Sequence, residues 1–129
     1  MDGFGGKVGV MVVDDQPAFR RAVHAVIDAT AGFESVGDAA SGPEALRCVV
    51  QMAPKLVLMD VHMPGMDGFE AARRLTQAHP DCVVVLVSVE DLRGLDDALA
   101  ASGAIAFIQK QKLGPATLRG LWAAHAANR

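Results

Sequence analysis

The sequence predicts an α/β domain built on a doubly wound parallel sheet. Short apolar runs rich in β-branched residues alternate with segments of one-sided helical periodicity, and this alternation occurs five times. The segments between the apolar runs are too long for hairpins, so the strands are expected to be parallel and joined by helical crossovers. The 129 residues contain no internal repeat and no Ser- or Pro-rich linker, which predicts one domain over residues 1–129.

Four of the apolar runs predict strands that are buried on both faces, because each is too short for a helix and lacks polar alternation. These runs are Val8 to Val13, Leu56 to Met59, Cys82 to Val87, and Ala104 to Ile108. The segment FESVGDA at 33–39 is more polar and predicts a fifth strand at an edge of the sheet.

Capping boxes predict where two of the helices begin. Ser41 precedes Glu44 by three positions, with Pro43 in the first turn of the second helix. Asp67 and Glu70 have the same spacing at the start of the third helix, 67–78, so Asp67 is interpreted as a capping residue outside any site. The other helices have apolar stripes at Phe19, Val23, Val26 and Ile27, at Leu92, Leu95 and Leu99, and at Leu118, Leu121 and Trp122.

Charge and hydropathy argue against nucleic-acid and membrane binding. The 12 basic and 15 acidic residues give a net charge of -3, and the basic residues are dispersed, so no nucleic-acid footprint is predicted. No apolar run approaches the ~20 residues of a membrane span, and the start MDGFGGK lacks the features of a signal peptide, so a cytoplasmic location is expected. Cys48 and Cys82 lack CxxC spacing and are expected to be reduced. The segment GFGGK at 3–7 lacks P-loop spacing.

Polar residues follow the four strong strands where each strand ends. They are Asp14 and Asp15, Asp60, Ser88, and Lys110. Ligands of open parallel sheets collect at the carboxyl ends of the strands, so these side chains are predicted to converge. Three carboxylates without a thiolate or imidazole at ligand spacing favour a hard cation such as Mg²⁺. Because Mg²⁺ usually retains waters or phosphate oxygens as ligands, a phosphorylated ligand or intermediate is implied.

Each of these residues has a simpler interpretation when it is taken alone. Asp15 fits a helix cap because Pro17 follows it two positions later. Ser88 fits a strand-end hydroxyl and Lys110 a solvated amine. Only their joint arrangement favours a site.

Four segments resemble the receiver domain of bacterial two-component response regulators. In chain order they are VVDDQPAFR, LVLMDVHMPGMDGFEA, VVVLVS and AIAFIQK, and the likeness extends from about residue 8 to 125. The resemblance implies a flavodoxin-like fold, with five parallel strands ordered 2-1-3-4-5 and helices on both faces.

The resemblance also implies a role for each candidate residue. Asp60 would be the phosphoacceptor, and Ser88 and Lys110 would bind the phosphoryl oxygens. Ser88 and Phe107 would form the switch that responds to phosphorylation. Without the resemblance, Phe107 is interpreted as an ordinary core residue. The Mg²⁺ ligands would be the carboxylates of Asp14, Asp15 and Asp60 and the backbone carbonyl of His62. The side chain of His62 is expected to face solvent.

The implied function is a signalling switch rather than an enzyme beyond Mg²⁺-dependent self-phosphorylation and autodephosphorylation. A sensor histidine kinase or phosphotransfer protein would phosphorylate Asp60, and a changed surface would bind a downstream protein partner. The chain would be a monomer or a weak phosphorylation-dependent dimer.

Three alternatives remain. The first is the receiver half of a DNA-binding transcriptional regulator, and the second is a receiver-like binding module without phosphotransfer. The third is an aspartate-nucleophile phosphatase of the haloacid dehalogenase kind, which is disfavoured because its acid/base Asp would stand where this sequence has His62.

Two positions depart from the family pattern. Gln111 stands after Lys110, where proline is frequent, so a cis-proline turn is not predicted. Val89 follows Ser88, where a smaller residue is usual. The bulk of Val89 is expected to narrow access to the site and to slow labelling by small phosphodonors.

Overall fold

A computed structural model describes residues 6–127. Most of the segment GFGGK and both ends of the predicted domain lie outside the described residues. Five parallel strands form one sheet in the order β2-β1-β3-β4-β5, which confirms the predicted order. The strands are β1 (Val8–Val13), β2 (Phe33–Ala39), β3 (Leu56–Asp60), β4 (Val83–Ser88) and β5 (Ala106–Gln109). The helices are α1 (Pro17–Asp28), α2 (Gly42–Met52), α3 (Gly68–Ala78), α4 (Asp96–Ser102) and α5 (Pro115–Ala127).

The sheet separates two apolar layers because successive side chains of a strand point to opposite faces. On one face Met11 and Met59 pack with Leu75 of α3 and with residues of α2. On the other face Val12 and Leu58 pack with residues of α1 and α5. The central strands are therefore covered on both sides, which accounts for their uninterrupted apolar sequences.

The two predicted capping boxes are present. Ser41 Oγ accepts a hydrogen bond of 3.2 Å from the Glu44 backbone N–H, and Asp67 Oδ1 accepts one of 2.9 Å from the Glu70 backbone N–H. Asp67 is thus engaged at the start of α3 and does not join the polar residues at the strand ends. Each cap satisfies a backbone N–H group in the first turn of its helix, which stabilises the starts of α2 and α3.

The fourth helix is shorter than its apolar stripe predicts. It begins at Asp96, while Leu92 lies buried in the preceding loop and Leu95 remains 41% exposed. Gly94 has a φ of +84°, in the left-handed region that a right-handed helix excludes. The prediction that Leu92 and Leu95 lie in this helix is therefore wrong, because Leu92 packs against the core from the preceding loop.

The remaining apolar features agree with a folded core. Burial raises the pKa of the Cys82 thiol to about 11, which keeps this thiol protonated and unreactive near neutral pH. Trp122 packs edge-on against Phe33, with the ring centroids 6.4 Å apart. Within residues 6–127, every helix is too short or too polar to span a membrane.

Candidate functional site

All of the strand-end residues lie at the carboxyl edge of the sheet, as predicted. Asp60 and Ser88 are the last residues of β3 and β4, while Asp14 and Lys110 directly follow β1 and β5. The parallel register sets Asp60 beside Val87 and Ser88 beside Gln109, so the strand ends are nearly level. Residues that are far apart in the sequence are thereby brought to one edge.

Three carboxylates form a compact acidic cluster at this edge. Asp14, Asp15 and Asp60 each offer one oxygen, and these oxygens lie within 4.8 Å of one another. Asp14 and Asp60 are buried, at 0% and 4% exposure, whereas Asp15 is exposed. Like charges at this spacing repel strongly where water is excluded, so the cluster is suited to a cation.

Lys110 supplies one positive charge to the cluster. Its Nζ lies 2.7 Å from Asp14 Oδ2 and 3.5 Å from Asp60 Oδ2. Although the Asp14 contact is short, Asp14 Oδ2 accepts no well-directed hydrogen bond within residues 6–127. A single ammonium therefore leaves a buried carboxylate oxygen incompletely satisfied, and the oxygen-only ligand set fits Mg²⁺.

The ring of Phe19 forms part of the Lys110 environment. Lys110 Nζ lies 4.2 Å from the centroid of this ring, and the Lys110 side chain is only 10% exposed. A cation over an aromatic face is attracted by the negative face of the ring. Periodicity assigned Phe19 only to the apolar stripe of α1, so its contact with the site was missed.

The environment of Asp60 raises the pKa of its carboxyl group. Burial is the largest cause, and the charge of Asp14 adds to it. The charge of Lys110 and a hydrogen bond from the His62 backbone N–H, 3.3 Å to Asp60 Oδ1, act in the opposite direction. A divalent cation among the carboxylates would further favour the ionised form.

Ser88 is fully buried and engaged with its own loop. Its Oγ accepts a hydrogen bond of 3.1 Å from the Glu90 backbone N–H, which leaves the hydroxyl proton available to a second acceptor. Phe107 is half-buried and packs against the core layer that includes Leu92. The two predicted switch residues thus lie on the neighbouring strands β4 and β5.

His62 and Glu90 connect the two loops beside the site. His62 Nε2 lies 2.7 Å from Glu90 Oε1, and the side chains are 58% and 66% exposed. The His62 side chain therefore faces solvent, as predicted, but it also has a charged neighbour that the sequence did not reveal. Val89, between Ser88 and Glu90, is exposed at 62%.

Gly68 allows α3 to begin against the backbone of Asp60. A Cβ atom at Gly68 would overlap the carbonyl oxygen of Asp60, and the Gly68 N–H donates a hydrogen bond of 2.8 Å to the Val61 carbonyl. Any larger residue would displace either α3 or the end of β3. Gly68 is therefore needed where α3 begins close to the end of β3 that carries Asp60. Helix capping alone did not predict this requirement.

Comparisons with known proteins identify the family. Residues 10–120 match the response regulator receiver domain model. The chain is 38% identical over 103 residues to the response regulator GacA of Pseudomonas viridiflava, covering 80% of this chain and 48% of that protein. It is also 40% identical over 79 residues to protein-glutamate methylesterase/protein-glutamine glutaminase 3 of Hahella chejuensis, covering 61% of this chain and 22% of that protein.

A solved structure agrees with these sequence relationships. The chain superimposes on a two-component response regulator of the LuxR family from Aurantimonas sp. SI85-9A1 with a TM-score of 0.84 and 27% identity, covering 96% of this chain and 88% of the other. The chain spans between about a fifth and a half of the curated relatives described above. It belongs to the response regulator receiver domain family.

Proposed function

We propose that this chain is a phosphorylation-controlled signalling switch in which Asp60 accepts a phosphoryl group from a sensor histidine kinase or a phosphotransfer protein. The observation that carries the proposal is the position of Asp60, at the end of β3, beside the carboxylates of Asp14 and Asp15 and 3.5 Å from the ammonium of Lys110. Membership of the receiver family supports phosphorylation-dependent signalling in general.

The acidic cluster is the proposed Mg²⁺ site. The carboxylates of Asp14, Asp15 and Asp60 would hold the ion, with the backbone carbonyl of His62 as a further ligand. The incompletely satisfied oxygen of Asp14 and the all-oxygen chemistry of the cluster both fit a hard cation. When bound, Mg²⁺ would supply positive charge that screens the anionic phosphoryl oxygens from the carboxylates.

Asp60 would act as the nucleophile. One of its carboxylate oxygens would form a bond to phosphorus as the bond from phosphorus to the donor histidine nitrogen breaks, and the electron pair of that bond would remain on the imidazole. The ionised form of Asp60 is required, and Lys110 favours that form because its ammonium is nearby. The protein would contribute positioning and charge rather than a separate acid or base.

Lys110 and Ser88 would then bind the phosphoryl oxygens. Lys110 contacts both Asp14 and Asp60, so a small movement would bring its ammonium to a group attached to Asp60. Ser88 has a hydroxyl proton to donate, since its Oγ at present accepts from the Glu90 N–H. Drawing Ser88 toward the phosphoryl group would shift the loop after β4.

Phe107 would respond to that shift. It lines a pocket of about 170 Å³ together with residues of the loop after β4, among them Leu92 and Leu95. Movement of this loop would change the space available to the Phe107 ring and so the surface beside α4. A downstream protein would bind that surface, and the chain would act as a monomer or a weak phosphorylation-dependent dimer in the cytoplasm.

A second candidate is the receiver part of a longer regulator. It is favoured by the match to GacA, of which the aligned region covers only 48%. In that case the changed surface would act on an attached output domain, including a DNA-binding one, rather than on a separate protein.

Intact mass after incubation with acetyl phosphate and Mg²⁺ tests the function. One added phosphoryl group is expected on the wild type and none on Asp60→Asn, which keeps the shape of the side chain but removes the nucleophile. Asp67→Asn is the matched control, because Asp67 is an exposed Asp that caps α3 outside the cluster. An equally labelled Asp60→Asn would reject Asp60 as the acceptor.

A further inference from the structure

Arg20 makes a contact with the acidic cluster that the proposed chemistry does not use. Its Nη1 donates a hydrogen bond of 2.6 Å to the backbone carbonyl of Asp14. That carbonyl belongs to the peptide unit that joins Asp14 to Asp15, two of the three clustered carboxylates. A group that fixes this peptide plane fixes the directions in which both side chains leave the backbone.

The other side of the Asp14 backbone is also anchored. The Asp14 N–H donates a hydrogen bond of 3.1 Å to the Ala39 carbonyl at the end of β2. β1 ends at Val13, so after this hydrogen bond the backbone is no longer paired with the neighbouring strands. Within the turn, the Gln16 N–H donates a hydrogen bond of 2.8 Å to Asp14 Oδ1 and so restrains the side chain, while Arg20 restrains the backbone from the carbonyl side.

Asp38 and His24 hold Arg20 in place. Arg20 Nε donates a hydrogen bond of 3.1 Å to Asp38 Oδ2, so two different nitrogens of the guanidinium are engaged. His24 Nε2 lies 3.4 Å from the same Asp38 oxygen, and His24 Nδ1 is hydrogen-bonded to Ser35 Oγ at 2.9 Å. The rigid fork of arginine suits such a two-point contact, whereas the single ammonium of lysine does not.

We infer that Arg20, held by Asp38, is a positioning residue that orients Asp14 and Asp15 for Mg²⁺ binding. The inference rests on the proposed function, because it assigns Arg20 to the same site. Arg20 acts through the backbone and contacts neither the metal nor the phosphoryl group. Groups that orient metal ligands typically contribute a factor of about 10 to 100 in metal affinity.

The sign of the effect distinguishes positioning from electrostatics. If Arg20 mattered only as a positive charge near the carboxylates, its removal would tighten Mg²⁺ binding, because like charges repel. If Arg20 orients the carboxylates, its removal weakens binding. The negative charge of Asp38 offsets part of the charge of Arg20, which reduces the electrostatic effect expected from removing Arg20.

The test is a titration with Mg²⁺ alone, followed by backbone amide shifts near residues 14, 15 and 60. Arg20→Met is expected to weaken binding about tenfold, and Arg20→Lys to give an intermediate loss, because it keeps the charge without the fork. Asp38→Asn should also weaken binding, but it removes a negative charge as well, so its result is interpreted together with that of Arg20→Lys, in which the charge is unchanged. Arg21→Met is the matched control: Arg21 is the neighbouring residue on α1 and is exposed, so wild-type affinity is expected.

Thermal unfolding of each variant without Mg²⁺ separates misfolding from misorientation. A fully folded Arg20→Met that binds Mg²⁺ as tightly as the wild type, or more tightly, would overturn the inference. If Arg20→Met fails to fold, wild-type Mg²⁺ affinity in both Arg20→Lys and Asp38→Asn would overturn it equally.

Phosphorylation by acetyl phosphate provides a second readout. The labelling rate of Arg20→Met is expected to fall at low Mg²⁺ and to recover largely at saturating Mg²⁺, because the nucleophile is unchanged. If the wild type is labelled normally and Arg20→Met is labelled at the same rate at low Mg²⁺, the inference about Arg20 is overturned but the proposed function is not. A wild type that neither binds Mg²⁺ nor becomes labelled would overturn the proposed function as well.

Discussion

Lys110 lies closer to Asp14 than to Asp60: its Nζ is 2.7 Å from Asp14 Oδ2 and 3.5 Å from Asp60 Oδ2. In this arrangement Lys110 compensates a fully buried carboxylate, and under the proposed function it would shift from Asp14 toward a phosphoryl group on Asp60. The movement of one ammonium between two anions would couple phosphorylation to the end of β5.

Replacing Lys110 tests this coupling. Lys110→Ala is expected to accept a phosphoryl group on Asp60 at a rate reduced by roughly a hundredfold, the size of effect that loss of one preorganised charged donor produces. The nucleophile remains, so labelling should still reach completion. Intact mass over time measures the rate, and amide exchange at residues 90–120 measures transmission. If labelled Lys110→Ala shows the same change in amide exchange as the labelled wild type, Lys110 does not transmit phosphorylation to these residues.

Asp15→Asn should weaken Mg²⁺ binding at least tenfold. The substitution removes a charged ligand from the cluster while preserving its size. Amide shifts at residues 14, 60 and 62 during a Mg²⁺ titration measure the affinity, with Asp67→Asn as the control. Trp122 is expected to be too remote for its fluorescence to report binding, since it packs against Phe33 at the start of β2. Unchanged affinity in Asp15→Asn would reject the ligand assignment.

Asp60 should make stability depend on pH in the absence of Mg²⁺. Its pKa in the folded protein is raised above the usual 3.8, mainly by burial, so the folded state retains this proton at a pH where the unfolded chain has lost it. The ionised carboxyl group therefore costs stability above its folded pKa, and the cost disappears below the unfolded pKa.

Asp60→Asn should accordingly unfold at a higher temperature than the wild type at pH 7. The gain should shrink toward about pH 4, where Asp60 in the wild type is increasingly protonated in both states. A gain of about 1 kcal/mol would correspond to roughly 4 °C in a domain of this size. The same pH series on Asp67→Asn is the control, because this variant loses one carboxyl group outside the cluster. A gain that does not change with pH would show that ionisation of Asp60 is not its cause.

Val89→Ala should speed labelling by acetyl phosphate, by roughly two- to threefold if access is the limiting step. Val89 is next to Ser88 and 62% exposed, so the shorter side chain should open the approach without disturbing the core. Initial rates from intact mass, at saturating Mg²⁺, measure the effect. Equal rates would show that Val89 does not limit access.

Duplex DNA is expected not to bind this chain tightly. Binding without sequence preference depends on basic side chains that release counterions from the phosphates, and here 12 basic residues oppose 15 acidic ones. The test is a titration of the phosphorylated chain against random duplex DNA at low salt, where electrostatic affinity for DNA is strongest. Submicromolar binding that falls steeply with salt would favour the transcription-factor alternative.

The sequence by itself determined the sheet and the five strand-end residues. Uninterrupted apolar runs predict strands buried on both faces, which is right for β1, β3 and β4, and the long segments between them require parallel crossovers. The run Ala104 to Ile108 was wrongly expected to be buried in the same way, because β5 lies at the edge of the sheet and only Ile108 in it is buried. In a parallel sheet the carboxyl ends of all strands lie at one edge, so the residues that end or follow the strands meet there: Asp14, Asp15, Asp60, Ser88 and Lys110. The capping boxes at Ser41 and Asp67 are likewise local patterns, readable within four residues.

Only the tertiary structure decided which side chains surround these residues. Lys110 lies over the Phe19 ring and Glu90 lies beside His62, through contacts between distant parts of the chain, while Arg20 reaches back over the preceding turn to the Asp14 carbonyl. Periodicity identifies the face of a helix that is buried, but not the partner of a long side chain at its edge. Leu92 shows the same limit, because helical spacing cannot distinguish a helix from a turn that packs an apolar side chain into the core. Pairings across the fold depend on how the helices are set on the sheet, which no local stretch of sequence specifies.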